Sequence, residues 1–186
     1  MQFFFFGLLR DADMREVVLG RCVPAGRVRP ARLSGARLAT LRGYTYPVLV
    51  RDAGLHVTGS HVTGSHVPGV VVEELTAEDI ARISFYESVE YAIETVAVDL
   101  ADGGSLEARV FATAERGAVD DRAWRLEDWT VRDKTRDLHE ARLWMALYGR
   151  LDVEEADRLW DETIAAGRTI EDLVEQVCGG PADTRL

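Results

Sequence analysis

Cysteine is nearly absent from this chain of 186 residues. Cys22 and Cys178 stand near its two ends, with neither metal-like nor redox-like spacing. Two buried or indifferent thiols in a reducing cytoplasm are therefore expected. Long apolar runs are missing as well. The run 3–9 is far below the roughly 20 residues that span a bilayer. No basic segment precedes it and Arg10-Asp11 ends it, so neither a membrane span nor a signal peptide is expected. Lysine occurs once, at Lys134, among 22 basic residues. That bias points to the codon usage of a GC-rich bacterial genome, not to a physical constraint.

Histidine is scarce too, at four residues, yet three of them fall in a repeat. His56-Val57-Thr58-Gly59-Ser60 recurs at 61–65, and His66-Val67 begins a third copy. Three histidines invite a metal. Five-residue spacing, however, alternates faces along a strand and diverges along a helix. The reading is a duplicated, exposed and metal-free loop between two strands, with a loop folded round a metal as the alternative.

What is present divides unevenly. The net charge of −10 combines nine arginines against Asp11, Asp13 and Glu16 in residues 1–51 with thirteen basic and twenty-nine acidic residues beyond them. An acidic total argues against a nucleic-acid partner, and most of these charges belong on solvated faces. At 47% hydrophobic and 29% charged, the chain can bury one sizeable core.

The order of elements predicts an α+β fold. Residues 2–6 form a buried aromatic strand, and 11–19 a short helix stopped by Gly20. Strand-like segments occupy 25–41, 46–50 and 67–72, broken at Ser34-Gly35, Gly43 and Pro47. Thr76, with Asp79 three residues on, caps a short helix over 75–83. Segments 91–100 and 105–113 are joined by Ala101-Asp102-Gly103-Gly104 as a hairpin. A small mixed β-barrel with short helices, residues 1–114, is expected. Helical patterns then take over, at 123–149, 153–166 and 170–177, capped by Asp152 and Thr169 and stopped by Gly167 and Gly179. They form a C-terminal helical extension, 120–180, packed on the barrel or on a second copy in a homo-oligomer. Trp124, Trp129, Trp144 and Trp160 all lie in this extension and read as packing anchors, not as a ligand platform.

One carboxylate stands out. In Ile83-Ser84-Phe85-Tyr86-Glu87-Ser88-Val89-Glu90-Tyr91, Glu87 sits among aromatic and β-branched neighbours where helix hands over to strand. Apolar surroundings raise a carboxyl pKa toward neutrality, and Glu90 would push the same way. The residues alone do not choose between the two.

Five motifs in order do. Phe6-Gly7-Leu8-Leu9, Pro30-Ala31-Arg32-Leu33-Ser34-Gly35-Ala36-Arg37-Leu38, Tyr46-Pro47-Val48-Leu49-Val50, Val67-Pro68-Gly69-Val70-Val71-Val72 and the Glu87 stretch resemble the γ-glutamylcyclotransferase-like family over about residues 3–113. That resemblance implies a small β-barrel with Glu87 as catalytic acid/base. It also implies that backbone amides of the turn after the first strand, at Phe6, Gly7, Leu8 and Leu9, hold the substrate. Tyr91 is placed with them as a binding residue, against plain strand packing. The implied reaction closes a γ-glutamyl amine or amide to 5-oxoproline and a free amine, with no metal or organic cofactor. Three positions depart from the family pattern. Phe6 lacks the tyrosine hydroxyl, Leu8 lacks the Ser/Thr hydroxyl, and Ser88 replaces the glycine after the glutamate. The altered turn supports a rival reading, a non-catalytic member that binds a small molecule or a protein.

Overall fold

The aromatic run near the N-terminus organises the fold. The computed structural model describes residues 1–41, 47–51, 65–88, 91–113, 119–120 and 123–179. Side chains alternate along strand β1 (Phe3–Phe5), so its phenylalanines cannot share one face. Phe4 and Phe6 join Leu33, Val67, Val71, Val98 and Val110 inside a barrel. Phe3 and Phe5 pack instead with Met14, Val18, Ile83 and Trp129 from surrounding helices. Burial on both faces explains why the run is continuous and not alternating.

The barrel closes through β2 (Val28–Ser34), β5 (His66–Val72), β6 (Tyr91–Leu100) and β7 (Ser105–Thr113), in the order β1-β5-β2-β6-β7. β5 is antiparallel to both of its neighbours, with Val71 opposite Phe4 and Arg29. β1 runs parallel to β7. The β6–β7 hairpin turns at Gly103 and Gly104, whose φ of 95° and 90° favour glycine. Gly69 is required for a different reason: a Cβ there would lie 2.3 Å from the Phe4 ring. A second sheet combines β3 (Ala36–Leu41), β4 (Pro47–Arg51) and β8 (Val119–Asp120) in the order β4-β3-β8.

Six helices surround this frame among the described residues. Helix α1 (Ala12–Leu19) is capped by Asp11 and ends at Gly20 in the left-handed conformation. Helix α2 (Ala77–Glu87) starts in a Thr76–Asp79 capping box. The expected 75–83 helix is therefore corrected at its end, because α2 continues through Phe85, Tyr86 and Glu87. Packing overrides the strand preference of these aromatics, since Phe85 packs at a tilt on Trp144 with centroids 5.1 Å apart and meets Tyr148 edge-on at 5.4 Å. Arg21 grips Asp79 at 2.6 Å, and the Arg82 Nε–H donates to the Val18 carbonyl at 2.8 Å. These bonds fix α2 on α1.

The expected 123–149 helix is in fact two, α3 (Leu126–Arg132) and α4 (Lys134–Ala146), broken at Asp133 with φ −123°. The Trp129 indole N–H donates to Asp137 at 2.7 Å across the break. Lys134, the single lysine, bridges Asp11 and Asp13 at 2.8 and 2.7 Å and ties α4 to the start of α1. Helices α5 (Val153–Ala165) and α6 (Ile170–Cys178) carry the expected caps at Asp152 and Thr169. Their apolar faces meet Phe85, Leu143, Trp144 and Leu147 in a further core. The fold is thus a small mixed five-stranded closed barrel with short helices and a C-terminal helical extension, α3 to α6. No described helix is long and apolar enough to cross a membrane.

Candidate active site

Glu87 occupies a position meant for an apolar side chain. Ile80, Ile83 and Glu87 are spaced i, i+3 and i+7, so the carboxylate continues the stripe that α2 turns toward the core. Ile83 is buried, and Ile80 packs against the same cluster. Glu87 is only partly exposed and opens into a cleft of about 910 Å³. It has no hydrogen-bond or ion-pair partner among the described residues, and burial pushes its carboxyl up to about 8. Such a group exchanges a proton near neutral pH.

The floor of the cleft comes from the end of β1. After Phe6 the chain passes through Gly7 into a 3-10 turn, Leu8–Arg10. Within the turn, the N–H groups of Arg10 and Asp11 donate to the carbonyls of Gly7 and Leu8 at 3.1 and 2.9 Å. Leu8 and Leu9 begin the turn, so their N–H groups have no acceptor inside it. Buried Arg15 of α1 holds the turn from behind, donating through Nη1 to the carbonyls of Leu9 and Arg10 at 2.8 and 2.6 Å. Gly7 keeps the floor open, since a Cβ there would press on Pro47 at 3.1 Å.

Phe6, Gly7, Leu8, Leu9, Glu87 and Tyr91 all line this one cleft. The fold gathers these residues from the end of β1, the end of α2 and the start of β6. Glu90 and residues 56–64 of the histidine repeat lie outside the described residues, while His66 is exposed in β5.

Helices α4 and α5 complete the cleft with residues that sequence reasoning missed: Glu140, Trp144, Asp157, Trp160 and Asp161. The packing role expected of the tryptophans holds for buried Trp124 and Trp129. Trp144 also packs, donating its indole N–H to the Phe85 carbonyl at 3.0 Å, but it and Trp160 face the cleft as well. The available signal was the i, i+3, i+4 spacing of Asp157, Trp160 and Asp161, which puts them on one helix face.

Ser88 links the two halves of the site. Its φ of 60° and ψ of −170° lie in a region that glycine adopts and other residues rarely do. The Ser88 hydroxyl donates to the Asp157 carboxylate, joining the end of α2 to α5.

No curated protein matches the chain. Two solution structures of Arabidopsis thaliana proteins do resemble it. One is 22% identical with a TM-score of 0.51, covering 75% of this chain and 86% of its own. The other is 20% identical with a TM-score of 0.52, covering 76% and 79%. At such identities the likeness establishes the fold alone. The family model described as gamma-glutamyl cyclotransferase, AIG2-like, matches residues 3–131, which include the barrel, the turn at Gly7 and Glu87. The chain belongs to the AIG2-like gamma-glutamyl cyclotransferase family.

Proposed function

We propose that this protein is a cytoplasmic γ-glutamylcyclotransferase that converts a small γ-glutamyl amine or amide to 5-oxoproline and the free amine. Residues 1–114 would supply the turn and Glu87, and residues 120–180 the outer wall of the cleft. The observation that carries the reading is a carboxyl at Glu87, only partly exposed and unpartnered among the described residues, in the same cleft as the first N–H groups of the Gly7–Arg10 turn.

The substrate carries its own nucleophile. Its α-amino nitrogen attacks the γ-carbonyl carbon, closing a five-membered ring, and the bond to the amine nitrogen breaks. Intramolecular geometry supplies much of the acceleration. Glu87 as carboxylate takes a proton from the α-ammonium, freeing the amine lone pair for attack, and, as the acid, returns one to the departing amine. A raised pKa suits both steps, because proton affinity stays near that of the groups it serves. N–H groups at Leu8 and Leu9 stabilise the oxyanion or hold the substrate carboxylate, and Gly7 lets the ligand approach the main chain. Tyr91 borders the same volume and bounds the substrate from β6.

Phe6 and Leu8 favour a second reading, a non-catalytic binding member, because they replace hydroxyl-bearing side chains with apolar ones. One assay separates the two. Purified protein is incubated with a panel of γ-glutamyl amines, amides and dipeptides, and 5-oxoproline is measured. Release from at least one conjugate is expected. Saturable binding of panel members without any 5-oxoproline would favour the binding protein.

A further inference from the structure

A second cavity, of about 380 Å³, lies apart from the cleft of Glu87 and shares no lining residue with it. Its lining is basic. Arg10 at the end of the turn, Arg37 of β3 and Arg125 just before α3 face it, together with exposed His66 of β5. Glu127 is the one carboxylate among the described lining residues. It lies 3.8 Å from Arg125 between two exposed side chains, a contact of little strength. Neither Arg10 nor Arg37 has a hydrogen-bond or ion-pair partner among the described residues. Arg37 is exposed, but Arg10 is partly buried. Burial holds the Arg10 guanidinium below its ordinary value, and the charge of Glu127 opposes the shift only in part. A cation drawn out of water without a partner is costly, and an anion in the cavity would offset that cost. Leu38, Pro68 and buried Trp124 give the same cavity an apolar side.

We infer that this cavity is a phosphate site, its occupant a small organic phosphomonoester whose phosphate is held by Arg10, Arg37 and Arg125 and whose body lies against Leu38, Pro68 and Trp124. Three arginines against one glutamate leave an excess of two positive charges. A phosphomonoester carries about −1.5 to −2 at neutral pH and matches that excess, which a single carboxylate does not. Planar guanidinium groups also suit phosphate oxygens, which accept several N–H bonds at once. The volume lies within the roughly 300–1,000 Å³ of small-ligand sites, so the cavity has room for more than the phosphate group. Because no residue is shared with the cleft, the site stands independently of the cyclotransferase reading.

Calorimetry on the full chain at low salt, with phenyl phosphate, inorganic phosphate and benzoate as probes, tests the site. Phenyl phosphate should bind saturably, one per chain, about tenfold or more tighter than benzoate, and more weakly as salt rises. Arg10→Met and Arg37→Ser should each weaken it by about tenfold. Arg150→Ser, which removes an exposed arginine outside the cavity, should leave the affinity unchanged. Arg37 is exposed on its strand, so its variant decides the matter even where Arg10→Met fails to fold. Tighter binding of phenyl phosphate than of inorganic phosphate supports the organic ligand, and equal binding keeps the phosphate site and assigns it to free phosphate. Absence of saturable binding, benzoate binding as tightly as phenyl phosphate, or an affinity that Arg37→Ser leaves unchanged or lowers no more than Arg150→Ser overturns the inference.

Discussion

Glu87 shows how one side chain can be placed against its own solvation. Its stripe on α2 calls for a hydrophobe, and the carboxyl accepts the desolvation by keeping its proton. With its carboxyl raised from the usual 4.5 to about 8, the folded protein retains a proton that the unfolded chain releases. Its contribution to stability is therefore complete below about pH 4.5 and is lost as pH rises through 8. Glu87→Gln, nearly isosteric and without charge, should remove this slope. Urea unfolding between pH 5 and 9 checks it: the variant should overtake wild type at the alkaline end, and parallel curves would contradict the burial argument. Ser88, next in the chain, makes a second prediction. Ser88→Ala keeps the strained backbone and loses the bond to Asp157, and should cost about 1–3 kcal/mol. Ser88→Gly loses the same bond but relieves strain worth about 1–2 kcal/mol. The glycine variant should melt higher than the alanine variant; the reverse order would show that the backbone at 88 is relaxed.

Among the elements, the turn after β1 leaves its first donors without an acceptor inside it. Arg15 reaches from α1 to the carbonyls of Leu9 and Arg10, so the donor side of the turn is set by a group behind it. Arg15→Met preserves most of the buried stem. It should lower kcat by about tenfold or more while leaving KM less affected, as expected when oxyanion donors lose their positions. Circular dichroism keeps the test fair, and a folded variant with unchanged kcat would show that Arg15 only packs. Much at this scale was legible in the sequence. Thr76, Asp152 and Thr169 cap their helices through local bonds, and Gly103-Gly104 sets a hairpin through local φ values. Two features were not. Phe85 and Tyr86 look strand-like until Trp144 packs on Phe85, and Asp133 breaks a helix without any glycine or proline to announce it.

At the scale of the whole molecule, the site depends on contacts that no local pattern encodes. The Ser88–Asp157 bond joins residues 69 positions apart, and Trp144 meets the carbonyl of Phe85 across 59. The motif order brought out Phe6, Gly7, Leu8, Leu9, Glu87 and Tyr91, because barrel strands carry their residues in a recognisable succession. Helices α4 and α5 have no such signature, so the acidic and indole wall emerges only from packing. The central claim remains the proton transfer by Glu87. Its most direct test is the rate of 5-oxoproline release by wild type, Glu87→Gln and Glu90→Gln on the best conjugate of the panel, with each variant shown to be folded. Glu87→Gln should lose on the order of a hundredfold or more in kcat, while Glu90→Gln keeps most of it. Full activity in Glu87→Gln would contradict the mechanism.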